Sequence, residues 1–178
     1  MDRMREGEAQ KIRLGDPAIR ESFIERVFAM ARWRAFAARR PKPGDLAAYH
    51  AARKFAVLAH SPSHYAARGR LVAVVGARLG LRLAQYGSLL MQALSVRATR
   101  ARHANVLQHL AGSFGRRLNG AERAELADAI HGYRRGLVPL VVPLTLIEHH
   151  VRRLSVADLA DQTHFAPHPK ELLLRNHV

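Results

Sequence analysis

The sequence predicts an all-α fold, a compact bundle of several helices. Apolar residues recur at three- and four-residue spacing along most of the chain, no run sustains period-2 alternation, and no hairpin dipeptide joins two β-rich runs. With 178 residues, 48% of them apolar, the chain has the size for one domain around one core.

Residues 1–15 are polar and expected to be loose, which leaves a single helical domain over 16–178. Asp16-Pro17 supplies an N-cap and a first-turn proline. Ile19, Phe23, Ile24, Val27 and Phe28 then repeat at helical spacing, predicting a helix to about Arg39. The proline-broken RRPKPG connects it to a second helix, capped at Gly44-Asp45, that carries Leu46, Tyr49, Phe55 and Leu58 and ends near His60. Ser61 before Pro62 is a preferred cap for a third helix, with His64 in its first turn.

RLVAVVGARLG has the look of a strand entering a glycine loop. The dinucleotide fingerprint is G-x-G-x-x-G, however, and only Gly76 and Gly80 occur here, with no acid at ribose distance, so a glycine-interrupted helix is expected. AQYGSLLMQALSV and TRARHANVLQHLAGSFGRRL are helical in period, and Asn119-Gly120 is a stop. In AERAELADAIHGYRRG, Leu126, Ile130 and Tyr133 face inward and Gly136 ends the helix. Pro139 and Pro143 delay the next helix to the second proline, and PKELLLRN is a last helical piece.

Several function classes are excluded by composition. No cysteine occurs, so disulfides, zinc ribbons, thiolate-held iron-sulfur clusters and thiol nucleophiles are out. MDRMREGEAQKIRLGD lacks the apolar core of a secretory signal. The longest apolar run, LVPLVVPLTLI, is shorter than the roughly 20 residues of a membrane span and holds two prolines. A cytoplasmic protein with no membrane partner, no metal and no cofactor is expected.

Charge points to a polyanionic partner. The formal net charge is +15, and 25 of the 29 basic residues are arginines, whose planar fork suits phosphate and base edges. No carboxylate lies between Asp45 and Glu122, whereas eleven basic residues do: Arg53, Lys54, Arg68, Arg70, Arg78, Arg82, Arg97, Arg100, Arg102, Arg116 and Arg117. A solvated face normally mixes both signs, so this segment reads as an electrostatic footprint. An arginine-favouring genome would give the same lysine-poor count.

The candidate residues follow. In AHSPSHYAARGR the helix start at Ser61 offers free N–H groups to an anion, with His60, Arg68 and Arg70 close in sequence; a simple structural cap is the alternative. On a helical wheel, Arg102, Asn105, His109, Gly112 and Arg116 share one face, opposite Leu107, Leu110, Phe114 and Leu118. Such a face suits phosphate, ribose or base contacts, or is an ordinary solvated face. His149 and His150 are adjacent, whereas zinc helices space their ligands three or four apart, so no metal site is assigned there.

The strings FIERVF (23–28), HxxRKF with AHSPxHY and GRLVA (50–73), HxNVLQH with GxF (103–114), YRxGLVPLxVPLTLIxHH (133–150) and PHPKELLLRNH (167–177) resemble the YbgA-like domain family. They run in the expected order over nearly the whole chain from Ile19. That domain occurs alone and fused behind TudS-like domains that remove sulfur from thiouracil or tRNA thiouridine, and in the fusion it is regarded as the RNA-binding half. The resemblance implies an RNA-binding module, with tRNA as the RNA and a TudS-like desulfidase as a partner protein. It carries over to His50, Lys54, His60, Ser61, Arg70, Asn105, Gln108, His109, Arg134, His149, His150 and Arg175, while Ser113 stands where an aromatic is common. Without cysteine this chain cannot perform the desulfidase step itself. Two rivals stand beside this reading. One is an enzyme in which His60, His109 and His149 or His150 converge with Asn105 and Arg134 around a small anionic substrate, a nucleotide or a metal. The other is a DNA-binding or protein-interaction domain.

Overall fold

The computed structural model describes residues 15–74 and 78–177. Among them nine α-helices and two 3₁₀ turns occur, with no β-strand, so the fold is an all-α bundle. The helices are α1 (Pro17–Ala38), α2 (Pro43–Ala51), α3 (Lys54–His60), α4 (Pro62–Ala73), α5 (Leu79–Ser95), α6 (Arg100–Gly112), α7 (Gly120–Arg135), α8 (Val141–Arg153) and α9 (Ala157–Ala160). None is long and apolar enough to cross a membrane. The expected loose segment 1–15 lies outside the described residues except for Gly15, and so does Gly76 of the proposed glycine interruption.

Local signals set the helix ends. Asp16 accepts from the backbone N–H groups of Ala18 and Ile19 at 2.8 and 3.2 Å, which starts α1. Asn119 and Glu122 form a reciprocal capping box on α7, with bonds of 2.8 and 2.9 Å. Gly136 ends α7 in the left-handed conformation, φ 78°, and the Arg100 guanidinium lies where a Cβ would project.

Three expectations shift. The second helix breaks at Ala52 and Arg53 into α2 and α3, and the freed Ala51 and Ala52 carbonyls accept from Gln162 and from the Thr163 backbone at 3.0 and 2.8 Å. α8 begins at Val141, so Pro143 falls within its first turn. The chain end makes only a 3₁₀ turn at Lys170–Leu172, after which Leu173 turns left-handed and Leu174 and Arg175 are buried.

Two apolar clusters stand where one core was expected. Phe55, Val106, Leu107, Leu110, Phe114, Ile130, Leu144 and Ile147 belong to one. Trp33, Leu46, Tyr49, Val57, Tyr86, Leu90 and Leu94 belong to the other. Short α3 serves both, sending Phe55 and Ala59 to the first and Val57 to the second. The Trp33 ring tilts against Tyr86 at 5.1 Å between centroids and meets Tyr49 edge-on at 5.4 Å, so aromatic packing supplies much of the second cluster.

The apolar stripe read on α1 is not its inward face. Phe23 and Val27 are 40% and 47% exposed, whereas Glu21, Glu25 and Trp33 are buried. Glutamates four residues apart share a helix face, and here that face carries two carboxylates into the seam between the clusters.

Candidate functional site

Six side chains from distant parts of the chain meet at that seam. Glu21 and Glu25 come from α1, His60 from the end of α3, His103 from the first turn of α6, and His164 and Arg175 from the C-terminal segment; all are buried. The Arg175 Nε donates to Glu21 Oε1 at 3.0 Å, and His177 Nε2 lies 3.0 Å from Glu21 Oε2. His60 Nδ1 donates to the Val96 carbonyl at 2.6 Å, which leaves Nε2 facing Glu25 Oε2 at 3.3 Å. That contact is an ion pair whose angle is poor for a hydrogen bond, since Nε2 has no hydrogen-bonded partner.

Electrostatics separates these groups into charged and neutral. Burial alone would raise the Glu25 carboxyl, but His60, Arg175 and His164 outweigh it and hold the carboxyl well below its ordinary range. For His60 burial pulls downward, and the Glu25 partner wins, leaving the imidazole raised and the pair ionic. Burial, reinforced by the Arg175 charge, pushes His103 down to about 3 and drives His164 well below its usual value. Both rings are therefore neutral. The two rings stack with centroids 5.6 Å apart and planes 30° from parallel. Among the described residues no group of three or more His, Asp or Glu is placed to hold a metal ion.

A cavity of about 480 Å³ opens on this cluster. Its lining includes Glu21, Ser22 and Glu25 of α1, His60, His103, Tyr133, Leu140 and His177, together with Arg97, Thr99 and Arg100 where α6 begins. Burial pushes the Tyr133 phenol up to about 12, so it stays protonated and able to donate.

The residues singled out from sequence divide differently. Arg68 is fully buried: its guanidinium carbon sits 4.2 Å from the centroid of Tyr86, and it donates to the Tyr86 hydroxyl. His60 and Ser61 are buried as well. The Ser61 hydroxyl accepts from His64 N at 3.4 Å and contacts His64 Nδ1 at 2.8 Å, so it caps the start of α4 and occupies one of that helix's free N–H groups. Arg102 is half-buried and donates to the His60 and Arg97 carbonyls at 2.8 and 3.3 Å, which ties α6 to the α3–α4 junction. Arg116 leaves the proposed α6 face because the helix ends at Gly112 and a 3₁₀ turn follows.

Asn105, His109, Arg70, Arg116 and Arg134 are exposed, as expected of surface contacts. Lys54 lies over the Phe55 ring at 5.0 Å. Gln108 and Arg134 line one groove between α6 and α7, whereas Arg70 lines a separate groove between α4 and α5. The convergence proposed for His60, His109, His149 and His150 does not occur. His109 and His149 are exposed, and His150 is buried edge-on against Phe114 at 5.7 Å.

The seam residues Glu21, Glu25, His103, His164, Tyr133 and His177 were not singled out from sequence. Their one local signal was the spacing of Glu21 and Glu25, two carboxylates on one helix face beside an apolar run.

Residues 54–169 match the family described as "Protein of unknown function (DUF1722)". The chain belongs to the DUF1722 family. It is 33% identical over 158 residues, 88% of this chain and 94% of the relative, to the "Uncharacterized protein YbgA" of Escherichia coli (strain K12). No solved structure matches. The DUF1722 match takes in His60, His103, Tyr133 and His164 of the seam, and Glu21, Glu25 and Arg175 fall outside its bounds.

Proposed function

We propose that this DUF1722 chain is an RNA-binding module, that tRNA is its RNA, and that it works beside a separate tRNA-modifying or desulfurating enzyme. The observation carrying this reading is where the carboxylates go. Glu21 and Glu25 turn inward onto Arg175 and His60, Asp16 and Asp45 cap helices, Glu122 caps α7 and pairs with Arg153 at 2.6 Å, and Glu148 pairs with Lys170 at 2.8 Å. In a chain of formal charge +15 these acids are engaged within the fold, and among the described residues no exposed arginine of the carboxylate-free segment except Arg97, 4.0 Å from Asp16, has a carboxylate partner. The YbgA-like resemblance supports RNA over other polyanions.

Competition for the protein among tRNA, duplex DNA and heparin, repeated over a salt series, tests it. Preferred tRNA binding that weakens steeply with salt is expected, because each neutralised phosphate releases counterions. Equal affinity for all three, or binding indifferent to salt, refutes it.

The rival, an enzyme acting on a small anionic substrate or nucleotide, draws on the histidine-lined cavity. It requires turnover by the purified chain, which the RNA-binding reading does not.

A further inference from the structure

The cavity at the α1–α6 seam has two chemically unlike ends. Inside, the Glu25 carboxylate meets only the His60 imidazole at 3.3 Å and accepts no hydrogen bond among the described residues, although a carboxylate has room for about four. His103 is 7% exposed and its Nδ1 has no partner among the described residues. The Tyr133 hydroxyl also has no hydrogen-bonding partner among the described residues. The Glu25 carboxylate and the Tyr133 hydroxyl face the cavity with no hydrogen-bonding partner among the described residues, whereas His103 Nδ1 is sealed, so the open acid suits a ligand with N–H groups along one edge.

The outer end favours negative charge. Arg97 and Arg100 are exposed there; Arg100 is the first residue of the 13-residue helix α6 and lies 5.8 Å from the Tyr133 ring centroid, and the helix start presents the positive end of its dipole, with Thr99 accepting from Arg102 N at 3.3 Å. Asp16 also lines this end, but its carboxylate is held by the α1 backbone at 2.8 Å and lies 4.0 Å from Arg97.

We infer that this cavity takes one nucleotide, base inward against Glu25, His103 and Tyr133 and phosphate outward against Arg97 and Arg100. The favoured base is guanine, whose edge offers two adjacent N–H donors to a single carboxylate, whereas adenine offers one amino group beside an acceptor. The choice of a nucleotide among ligands with donors and an anionic end rests on the RNA-binding reading. The nucleotide is either free or an unstacked residue of an RNA strand, and the two sources share this chemistry.

The test titrates GMP, AMP and ribose 5-phosphate into the purified chain, following the imidazole NMR signals of His60 and His103, and runs tRNA binding in parallel. GMP is expected to bind and to move both signals, AMP and ribose 5-phosphate to bind more weakly. Glu25→Gln, Tyr133→Phe, and Arg97→Gln with Arg100→Gln should each weaken GMP about tenfold or more, as loss of a charge-assisted or buried hydrogen bond does. Should Glu25→Gln fail to fold, Tyr133→Phe and the arginine pair decide the matter.

Equal binding of GMP, AMP and ribose 5-phosphate, or unchanged GMP affinity in the folded variants, overturns the assignment. If tRNA binds with its salt slope and GMP leaves His103 unmoved, the cavity assignment fails alone. If GMP binds and tRNA does not, the RNA-binding reading fails and the cavity stands. A guanosine-ended oligonucleotide that competes with GMP marks the strand as the source, and its failure to compete marks the free nucleotide.

Discussion

Arg68 lies fully buried with its guanidinium over the ring of Tyr86, 4.2 Å from the centroid, and donates to the Tyr86 hydroxyl, with no carboxylate paired to it among the described residues. Its Nε and Nη1 have no hydrogen-bonding partner among the described residues, and burial lowers its affinity for the proton against the favourable influence of Tyr86. A basic residue read as a phosphate contact is therefore a packing element of the aromatic cluster. Desolvated cation–π contact, the Tyr86 hydrogen bond and a large filled volume favour keeping it, while its unpaired charge opposes.

Arg68→Ala should cost about 2–4 kcal/mol of stability, the scale for emptying a large buried site. Exposed Arg70, two residues on, should behave in the opposite way. Arg70→Ala should leave stability within about 0.5 kcal/mol and weaken tRNA binding. Denaturant midpoints and salt-matched binding curves on the two variants check both halves.

Gly87→Ala should destabilise the chain by about 1–3 kcal/mol despite alanine's better helix propensity. A Cβ at Gly87 would collide with the indole of Trp33, and that ring is held by Tyr49, Tyr86 and Phe36. Thermal unfolding together with Trp33 fluorescence measures it, since the chain has one tryptophan. An unchanged melting temperature would show that α1 and α5 can separate freely at this crossing.

Stability should fall on acidification from about pH 6.5, well before ordinary carboxylates titrate. His50 and His103 are lowered to about 4 and about 3, and His164 well below 6.5, so in this window the unfolded chain binds protons that the native one refuses. Each such proton contributes a slope of about 1.4 kcal/mol per pH unit. Glu25, depressed in the native state, adds its loss only below about 4.5. His60 is raised, so its contribution is complete below 6.5 and fades as pH climbs through its native value. Urea unfolding from pH 4 to 8 gives the slope, and His164→Asn should flatten it if the variant folds.

The pair Arg116→Glu and Arg134→Glu should weaken tRNA binding and reduce the salt slope by roughly 0.7–0.9 per lost phosphate contact, with melting unchanged. Both side chains are exposed. Arg102→Glu should lower the melting temperature as well, because Arg102 holds the His60 and Arg97 carbonyls. If the Arg116 and Arg134 reversal binds tRNA as tightly as the parent at equal salt, RNA contacts elsewhere must carry the affinity.

The helix start at Asp16 and the stop at Gly136 were legible in the sequence because they are local chemistry. Asp16 reaches the N–H groups two and three residues on and Gly136 takes a left-handed turn at no steric cost, neither needing a distant partner, whereas Asn119, read as a stop, starts α7 in a capping box with Glu122. The same holds for the all-α class, which follows from periodicity, and for the excess of base, which is a count. Which face of a helix turns inward is decided by what waits on the other side. On α1 the apolar residues Phe23 and Val27 stayed half in solvent, and Glu21 went inward because Arg175, 154 residues away, supplies the charge that makes its burial tolerable. Likewise Arg68 and Arg70 are indistinguishable as letters, yet one faces Tyr86 and the other water. Burying a charge requires partners brought by other helices, so only the tertiary structure could separate the arginines that hold the bundle together from those free to meet a phosphate.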